Sequence, residues 1–359
     1  MKIIFDNIIF SLQKSGGISI LWQNLLNQII CNSDLASYFI EYPDADHNIF
    51  RPDLLIPNDK IYLKSQWLFK IKRYFSPKIK TQEPFIFHSS YYRIANTANA
   101  INITTVHDFT YEKFFPKIKR IIHSWQKFKA IRKSDWIVCI SENTKRDLLK
   151  YLPDIDPSKI RIIYNGVSSD YHPLEYIPYP ELKNSILFIG SRINYKNFNY
   201  TVECVKQTKY NLLICGTELS DEERIKLDRD LGPKRYSIIK NPNNVELNKI
   251  YNSVLCLSYP SSYEGFGIPV IEAQKAACPV LALNKSSIPE IIGNGYPIME
   301  NLSQIEFDRL IHLFEYAETR KKIINIGQTN AKRFSWKKMA EEYLSLYQEI
   351  EQTIKHNPN

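Results

Sequence analysis

The chain has 359 residues, 44% of them hydrophobic and 24% charged, which fits a soluble globular protein of two ordinary-sized domains and excludes a disordered one. No uncharged apolar run approaches the roughly 18 residues of a membrane span, and the opening MKIIFDNIIF, with Asp6 inside its apolar run and no small-residue cleavage site, does not read as a signal peptide. The formal charge of +9 is uneven: Lys60–Lys133 holds 16 bases against three acids (Glu83, Asp108 and Glu112), so the first half expects an anionic partner.

Short apolar, β-branched runs alternate with helical patterns along the whole chain. The first half has strand-like runs at 2–5, 38–42, 85–90, 103–108, 136–141 and 160–166. The second half has them at 185–191, 210–216, 236–242, 254–260 and 279–284. Helical stretches at 142–151, 220–230 and 245–253 fall between them, and 334–355 is a long amphipathic helix. Near-continuous apolar strands joined by helical crossovers predict an α/β fold with a parallel sheet covered on both faces. The pattern occurs twice, as two doubly wound, Rossmann-like parallel-sheet domains facing across a cleft. Between them DYHPLEYIPYPELKN has three prolines and no periodicity, so 171–184 reads as a linker between a domain at 1–170 and one at 185–336. Six scattered cysteines without a C-x-x-C pair read as reduced, mostly buried thiols of a cytosolic protein.

Four loops carry candidate chemistry. In SGGIS, Gly16 and Gly17 follow the first strand and open a helix, where backbone can approach a phosphate, although a plain turn explains them as readily. The motif is not G-x-G-x-x-G, which argues against a dehydrogenase. ITTVHDF ends a strand with His107 and Asp108, and a histidine there is more often a packed or hydrogen-bonded residue than a catalyst. LFIGSRINYKN presents Arg192 and Lys196 on a loop after a strand, which suits neutralisation of a diphosphate leaving group or, alternatively, simple solvation. In SSYEGFGIPVIEA, Glu264 lies in a loop at a strand's carboxyl end and Glu272 on the following helix, with Pro269 in its first turn. Backbone N–H groups over Gly265–Gly267 could meet a hydroxylated or anionic ligand, while the two acids could hold sugar hydroxyls and a ribose diol. Their eight-residue spacing alone says little, since Glu341 and Glu349 share it in the C-terminal helix. The Asp44/Asp46, Asp154/Asp156 and Asp228/Asp230 pairs sit away from strand ends, so no metal site is expected.

Glu264-Gly265-Phe266-Gly267 with Pro269 and Glu272, continued by CPVLALNKSSIPEIIG, resembles the signature of glycosyltransferase family 4, the retaining GT-B enzymes. The resemblance runs over most of the chain. It implies an N-terminal acceptor-binding domain, completed by the C-terminal helix from about 337, and a C-terminal domain that binds a nucleotide sugar. It implies Arg192 and Lys196 on the leaving diphosphate and Glu264 and His107 at the transferred sugar. The remaining donor contacts fall to Gly16, Gly17, Asp108, Gly265, Phe266, Gly267, backbone near Val245, and Glu272 at the ribose. It implies no cofactor and no metal, with a GDP- or UDP-linked donor as substrate. The His-Asp pair resembles members that transfer mannose in surface-polysaccharide and O-antigen synthesis, with a glycan or lipid-diphosphate-linked acceptor.

The stretch KIYLKSQWLFKIKRYFSPKIK has seven bases and no acid, interleaved with aromatic and aliphatic residues. Trp67, Lys70, Lys72 and Arg73 could lie in an anionic bilayer interface, or on an ordinary basic helix face. No nucleic-acid-binding motif accompanies it, so nucleic acid is not an expected partner. The leading expectation is a cytoplasmic hexosyltransferase, peripheral on the inner face of the cytoplasmic membrane. A sugar-nucleotide epimerase of the same architecture is the alternative enzyme, and a non-catalytic basic protein binding nucleic acid or anionic lipid is the alternative of another class.

Overall fold

The structure, a computed structural model, describes residues 1–32, 35–65, 67 and 69–356. The chain divides into two compact units, Met1–Gly166 with Trp336–Asn359, and Val167–Ser335. Each is built on its own parallel sheet.

Unit 1 has strands β1 (Lys2–Asp6), β2 (Ala36–Glu41), β3 (Ile61–Leu63), β4 (Phe85–Ser89), β5 (Ala100–Val106), β6 (Trp136–Cys139) and β7 (Ile160–Ile162), in the order β3-β2-β1-β4-β5-β6-β7. Its helices are α1 (Ile9–Leu12), α2 (Gly17–Ile30), α3 (Phe69–Lys72), α4 (Thr110–Phe114), α5 (Lys117–Arg132) and α6 (Glu142–Tyr151). All neighbouring strands run parallel. The apolar runs become strands because both faces are covered: Ile3, Ile4, Phe5, Phe85, Ile86 and Phe87 are all buried. Helix α2 turns Leu21, Trp22, Leu25, Leu26 and Ile29 to the core, the spacing of one helical face.

Unit 2 has β8 (Ser185–Ile189), β9 (Asn211–Gly216), β10 (Tyr236–Lys240), β11 (Cys256–Tyr259) and β12 (Val280–Ala282), all parallel, in the order β10-β9-β8-β11-β12. Helices α7 (Phe198–Lys206), α8 (Asp221–Asp230), α9 (Asn244–Tyr251), α10 (Ile268–Lys275), α11 (Ile288–Ile292), α12 (Gln304–Glu315) and α13 (Ala317–Ala331) cover it. The last helix, α14 (Trp336–His356), returns to unit 1. There Tyr347 Oη hydrogen-bonds His88 Nδ1 at 2.7 Å and Tyr343 Oη lies 3.0 Å from Thr105 Oγ1. These are buried polar contacts that an amphipathic pattern alone does not announce.

The expected double parallel α/β architecture is present, with three local differences. Strand β3 is short and half exposed, so its three residues carry too little apolar pattern to be read from the sequence. Residues 171–184 do not hang between the units. His172 and Leu174 donate backbone N–H groups to Asn248 and Asn252 of α9 at 3.0 and 2.8 Å, and Tyr179 donates to Ser253 Oγ at 3.0 Å. The basic stretch 60–80 forms β3 and the single helical turn α3 rather than a continuous amphipathic helix. Five of the six cysteines are buried and all six are free thiols.

Candidate active site

In unit 2 the loops after β8 and β11 leave the carboxyl ends of adjacent strands, which brings LFIGSRINYKN and SSYEGFGIPVIEA together. Lys196 Nζ sits 2.7 Å from Glu264 Oε1, with both side chains about one-seventh exposed. The loops are zipped further. Asn197, in the left-handed region at φ 54°, donates its amide to Pro260 O and Ser262 Oγ at 2.8 and 2.7 Å, and Ser262 N–H reaches Tyr195 O at 2.8 Å.

The Glu264 main chain is fixed from the other side by the Ser286-Ser287 pair that follows β12. Ser286 Oγ accepts from Glu264 N at 2.9 Å and donates to Glu264 O at 2.5 Å, while Ser287 Oγ donates to Glu264 O and Phe266 O at 3.0 and 2.9 Å. Such bracing removes backbone freedom around one carboxylate, which is what a preorganised site needs. Gly267 begins α10 at φ +104°, and a Cβ there would lie 2.8 Å from Ile288 Cδ1. The glycine is therefore required by backbone and packing alike.

Two residues behave differently from the expectation. Arg192 is not a free cation. Its Nε and Nη2 make 2.6 and 2.9 Å bonds to Glu223, and its guanidinium also donates to Thr217 O and Glu218 O at 3.0 and 2.7 Å. Glu223, in turn, is held below its ordinary pKa chiefly by that guanidinium. The arginine is a clamp between the β8 loop and the first turn of α8. The Phe266 ring is buried edge-on against Phe334, with centroids 5.7 Å apart, so it packs and does not line an open surface. Val245, in the first turn of α9, is 58% exposed.

Glu272 projects from α10 to within 3.1 Å of Tyr251 Oη. Burial pushes its carboxyl up to about 7, against the opposing pull of the Tyr251 and Tyr171 hydroxyls. Tyr171, from the segment read as a linker, packs edge-on against Tyr251 at 5.9 Å. By contrast, Glu341 lies 3.9 Å from Lys337 and Glu349 2.8 Å from Arg161, all four exposed. Equal spacing thus yields a half-buried site in one helix and solvated ion pairs in another.

In unit 1, Gly16 and Gly17 do open a helix, α2, whose N-cap has no side-chain hydrogen bond. His107 lies just past β5, 8% exposed, with its pKa pushed down to about 4 by burial, an effect Asp108 opposes and Lys127 reinforces. Asp108 is tied locally: its Oδ1 accepts from Thr110 N at 2.9 Å and its carbonyl from Lys127 Nζ at 2.8 Å. Of the basic-stretch residues, Trp67 is 71% exposed, Arg73 is half-buried, and the Lys70 and Lys72 side chains lie outside the described residues. Among the described residues no three His, Cys, Asp or Glu side chains stand as a metal-binding group.

Sequence reasoning missed Ser286, Ser287, Asn197, Tyr251 and Glu223. For the serines a signal was available, since they follow a strand run in the same register as the other two site loops.

Residues 177–330 match the family described as glycosyl transferases group 1, and residues 29–171 match Glycosyltransferase Family 4. A glycosyltransferase of unassigned role from Methanocaldococcus jannaschii is 23% identical over 98% of this chain and 99% of its own length. An O-antigen chain mannosyltransferase of Salmonella typhimurium is 29% identical over 53% of this chain and 54% of its own. The crystal structure of Anabaena HepE in complex with UDP and glucose superposes with a TM-score of 0.73 at 12% identity, covering 97% of this chain and 100% of that one, a likeness of fold. Together the two family matches span most of both units, and with the two parallel α/β sheets they lead to one conclusion: the chain belongs to glycosyltransferase family 4 and is a glycosyltransferase of GT-B fold.

Proposed function

We propose that this glycosyltransferase moves a hexose, best assigned as mannose, with retention from a nucleotide sugar to a glycan or lipid-diphosphate-linked acceptor in surface-polysaccharide synthesis of the O-antigen type, working peripherally on the inner face of the cytoplasmic membrane. The observation that carries the reading is the braced Lys196–Glu264 pair at the strand ends of unit 2. A donor diphosphate competes with Glu264 for the Lys196 ammonium. Its arrival shifts the cation to the phosphate and frees the carboxylate to accept from hydroxyls of the sugar. One binding event thereby completes the site.

As the bond from the anomeric carbon to the leaving phosphate oxygen breaks, the acceptor oxygen bonds to that carbon on the same face. The leaving phosphate takes the acceptor's proton, so protein residues position and stabilise without a nucleophile of their own. Lys196 neutralises charge growing on the leaving group, and the Arg192–Glu223 clamp holds the loop that presents it. His107, neutral near pH 7 because burial holds it at about 4, offers a hydrogen bond to a sugar hydroxyl without adding charge. Glu272 is the ribose partner, sharing its carboxyl with Tyr251. The mannose assignment draws on His107-Asp108 and on the Salmonella relative, whereas UDP in the Anabaena complex keeps a UDP-linked donor in the test.

The test is thermal-shift titration with GDP-mannose, UDP-glucose and the free nucleotides, followed by turnover with Glu264→Ala. A donor should raise the melting temperature of the wild type, since a ligand of the native state stabilises it. Near-normal turnover by Glu264→Ala, or formation of a new sugar nucleotide from donor alone, refutes the proposal.

A further inference from the structure

Tyr171 opens the segment that leads into β8, and its side chain is buried in unit 2, 2% exposed. Its ring packs edge-on against Tyr251, the last residue of α9. Its hydroxyl has one proton and two acceptors. One is Asn244 Oδ1 at 3.1 Å, on the first residue of α9, and the other is the Glu272 carboxyl of α10. Among the described residues, the hydroxyls of Tyr171 and Tyr251 are the hydrogen-bond partners of Glu272. An ionised carboxyl has about four acceptor sites, so about two stay open, the number that a vicinal diol fills.

The Tyr171 hydroxyl is held by a chain of contacts that starts and ends on α10. Asn244 Nδ2 donates to Asp170 Oδ2 at 2.9 Å, Ser168 Oγ donates to the same oxygen at 2.8 Å, and Lys275 Nζ donates to Ser168 O at 2.7 Å. Lys275 follows Glu272 by three positions on α10, close to one helical turn. The Asn244 amide, with Ser168 after it, holds the Asp170 carboxyl below its ordinary range, so the link is charge-assisted. Residues 168–171 thus tie the first turn of α9, which carries Val245, to the helix that carries Glu272. A polar network in which every member has a partner specifies one geometry.

We propose that Tyr171 is a positioning residue for the donor nucleotide: its hydroxyl holds the Glu272 carboxyl so that the remaining acceptor sites meet the 2′- and 3′-hydroxyls of the ribose, and the site thereby selects ribonucleotides over 2′-deoxyribonucleotides. The inference rests on the assignment of Glu272 to the ribose and adds the residue that orients it. One donor alone, Tyr251 at Glu272 Oε2, leaves the carboxyl plane free to tilt, and a second donor removes that freedom. A site built to accept from a hydroxyl rejects a ligand that lacks it, because a desolvated acceptor is then left unpaired.

The test is isothermal titration calorimetry of the full chain at pH 8, where Glu272 is ionised, with UDP, GDP and their 2′-deoxy counterparts. Wild type should bind the ribonucleotide of its preferred base about tenfold or more tightly than the deoxy form, the size of one hydrogen bond to a charged group. Tyr171→Phe keeps the ring and should abolish most of that ratio, weakening the ribonucleotide while the deoxy form stays near its wild-type affinity. A ratio taken on one protein is not moved by a general loss of stability. Asn244→Ala removes the competing acceptor and loosens residues 168–171 but leaves the Tyr171 proton to Glu272, so the ratio should persist. A ratio kept by Tyr171→Phe, a fall of both nucleotides together, or an equal loss of the ratio in Asn244→Ala overturns the proposal. Failure of the underlying reading looks different. Wild type that binds UDP or GDP no better than the deoxy form overturns the ribose role of Glu272 and this proposal with it, and wild type that binds neither overturns the nucleotide-sugar reading.

Discussion

Glu272→Gln isolates one carboxyl whose ionisation the fold resists. In the native state burial raises Glu272 from its ordinary 4.5 to about 7. The folded protein therefore holds this proton more tightly than the unfolded chain does. Stability contributed by the neutral carboxyl is fully present below about 4.5 and is lost as pH rises through about 7. At ~1.36 kcal/mol for each pH unit between the two values, the loss amounts to about 3 kcal/mol above pH 7. Glutamine is isosteric and never ionises, so Glu272→Gln should match wild type near pH 4.5 and exceed it by up to that amount at pH 8. For a unit of this size that is roughly 6–12 °C in melting temperature.

The chain supplies its own control for this measurement. All five tryptophans, Trp22, Trp67, Trp125, Trp136 and Trp336, lie in unit 1. Tryptophan fluorescence reads that unit alone, whereas far-ultraviolet circular dichroism reads both. The pH-dependent gain should appear in the dichroism transition assigned to unit 2. Identical pH profiles for wild type and Glu272→Gln between pH 5 and 8 would show the native carboxyl already ionised and refute the reasoning.

Gly267→Ala should destabilise unit 2 by about 1–3 kcal/mol, from positive φ plus the Ile288 contact, and Ile288→Val in the same chain should recover only the steric part in urea unfolding. Tyr347→Phe removes a buried hydroxyl 2.7 Å from His88 and should cost roughly 1–3 kcal/mol, read by tryptophan fluorescence. Because burial keeps His88 near 3, that cost should not vary between pH 5 and 8. Ser286→Ala loses both bonds to the Glu264 main chain, and turnover should fall more than donor affinity, while equal loss of both would point to a general loosening of the loop.

What the sequence determined by itself is the architecture and the family. Parallel strands buried on both faces must be written as continuous apolar runs, so β1, β8, β9, β11 and β12 announce themselves within a few residues. The resemblance carried by Glu264, Gly265, Gly267, Pro269 and Glu272 was equally legible because those residues are contiguous. What the tertiary structure decided is how each polar side chain is used. Arg192 and Lys196 look alike on one loop, yet one is clamped to Glu223 and the other meets Glu264, because their partners lie 31 and 68 residues away in sequence. Glu272 and Glu349 are indistinguishable by spacing, and only the tyrosines around the first separate a half-buried carboxyl from a solvated one.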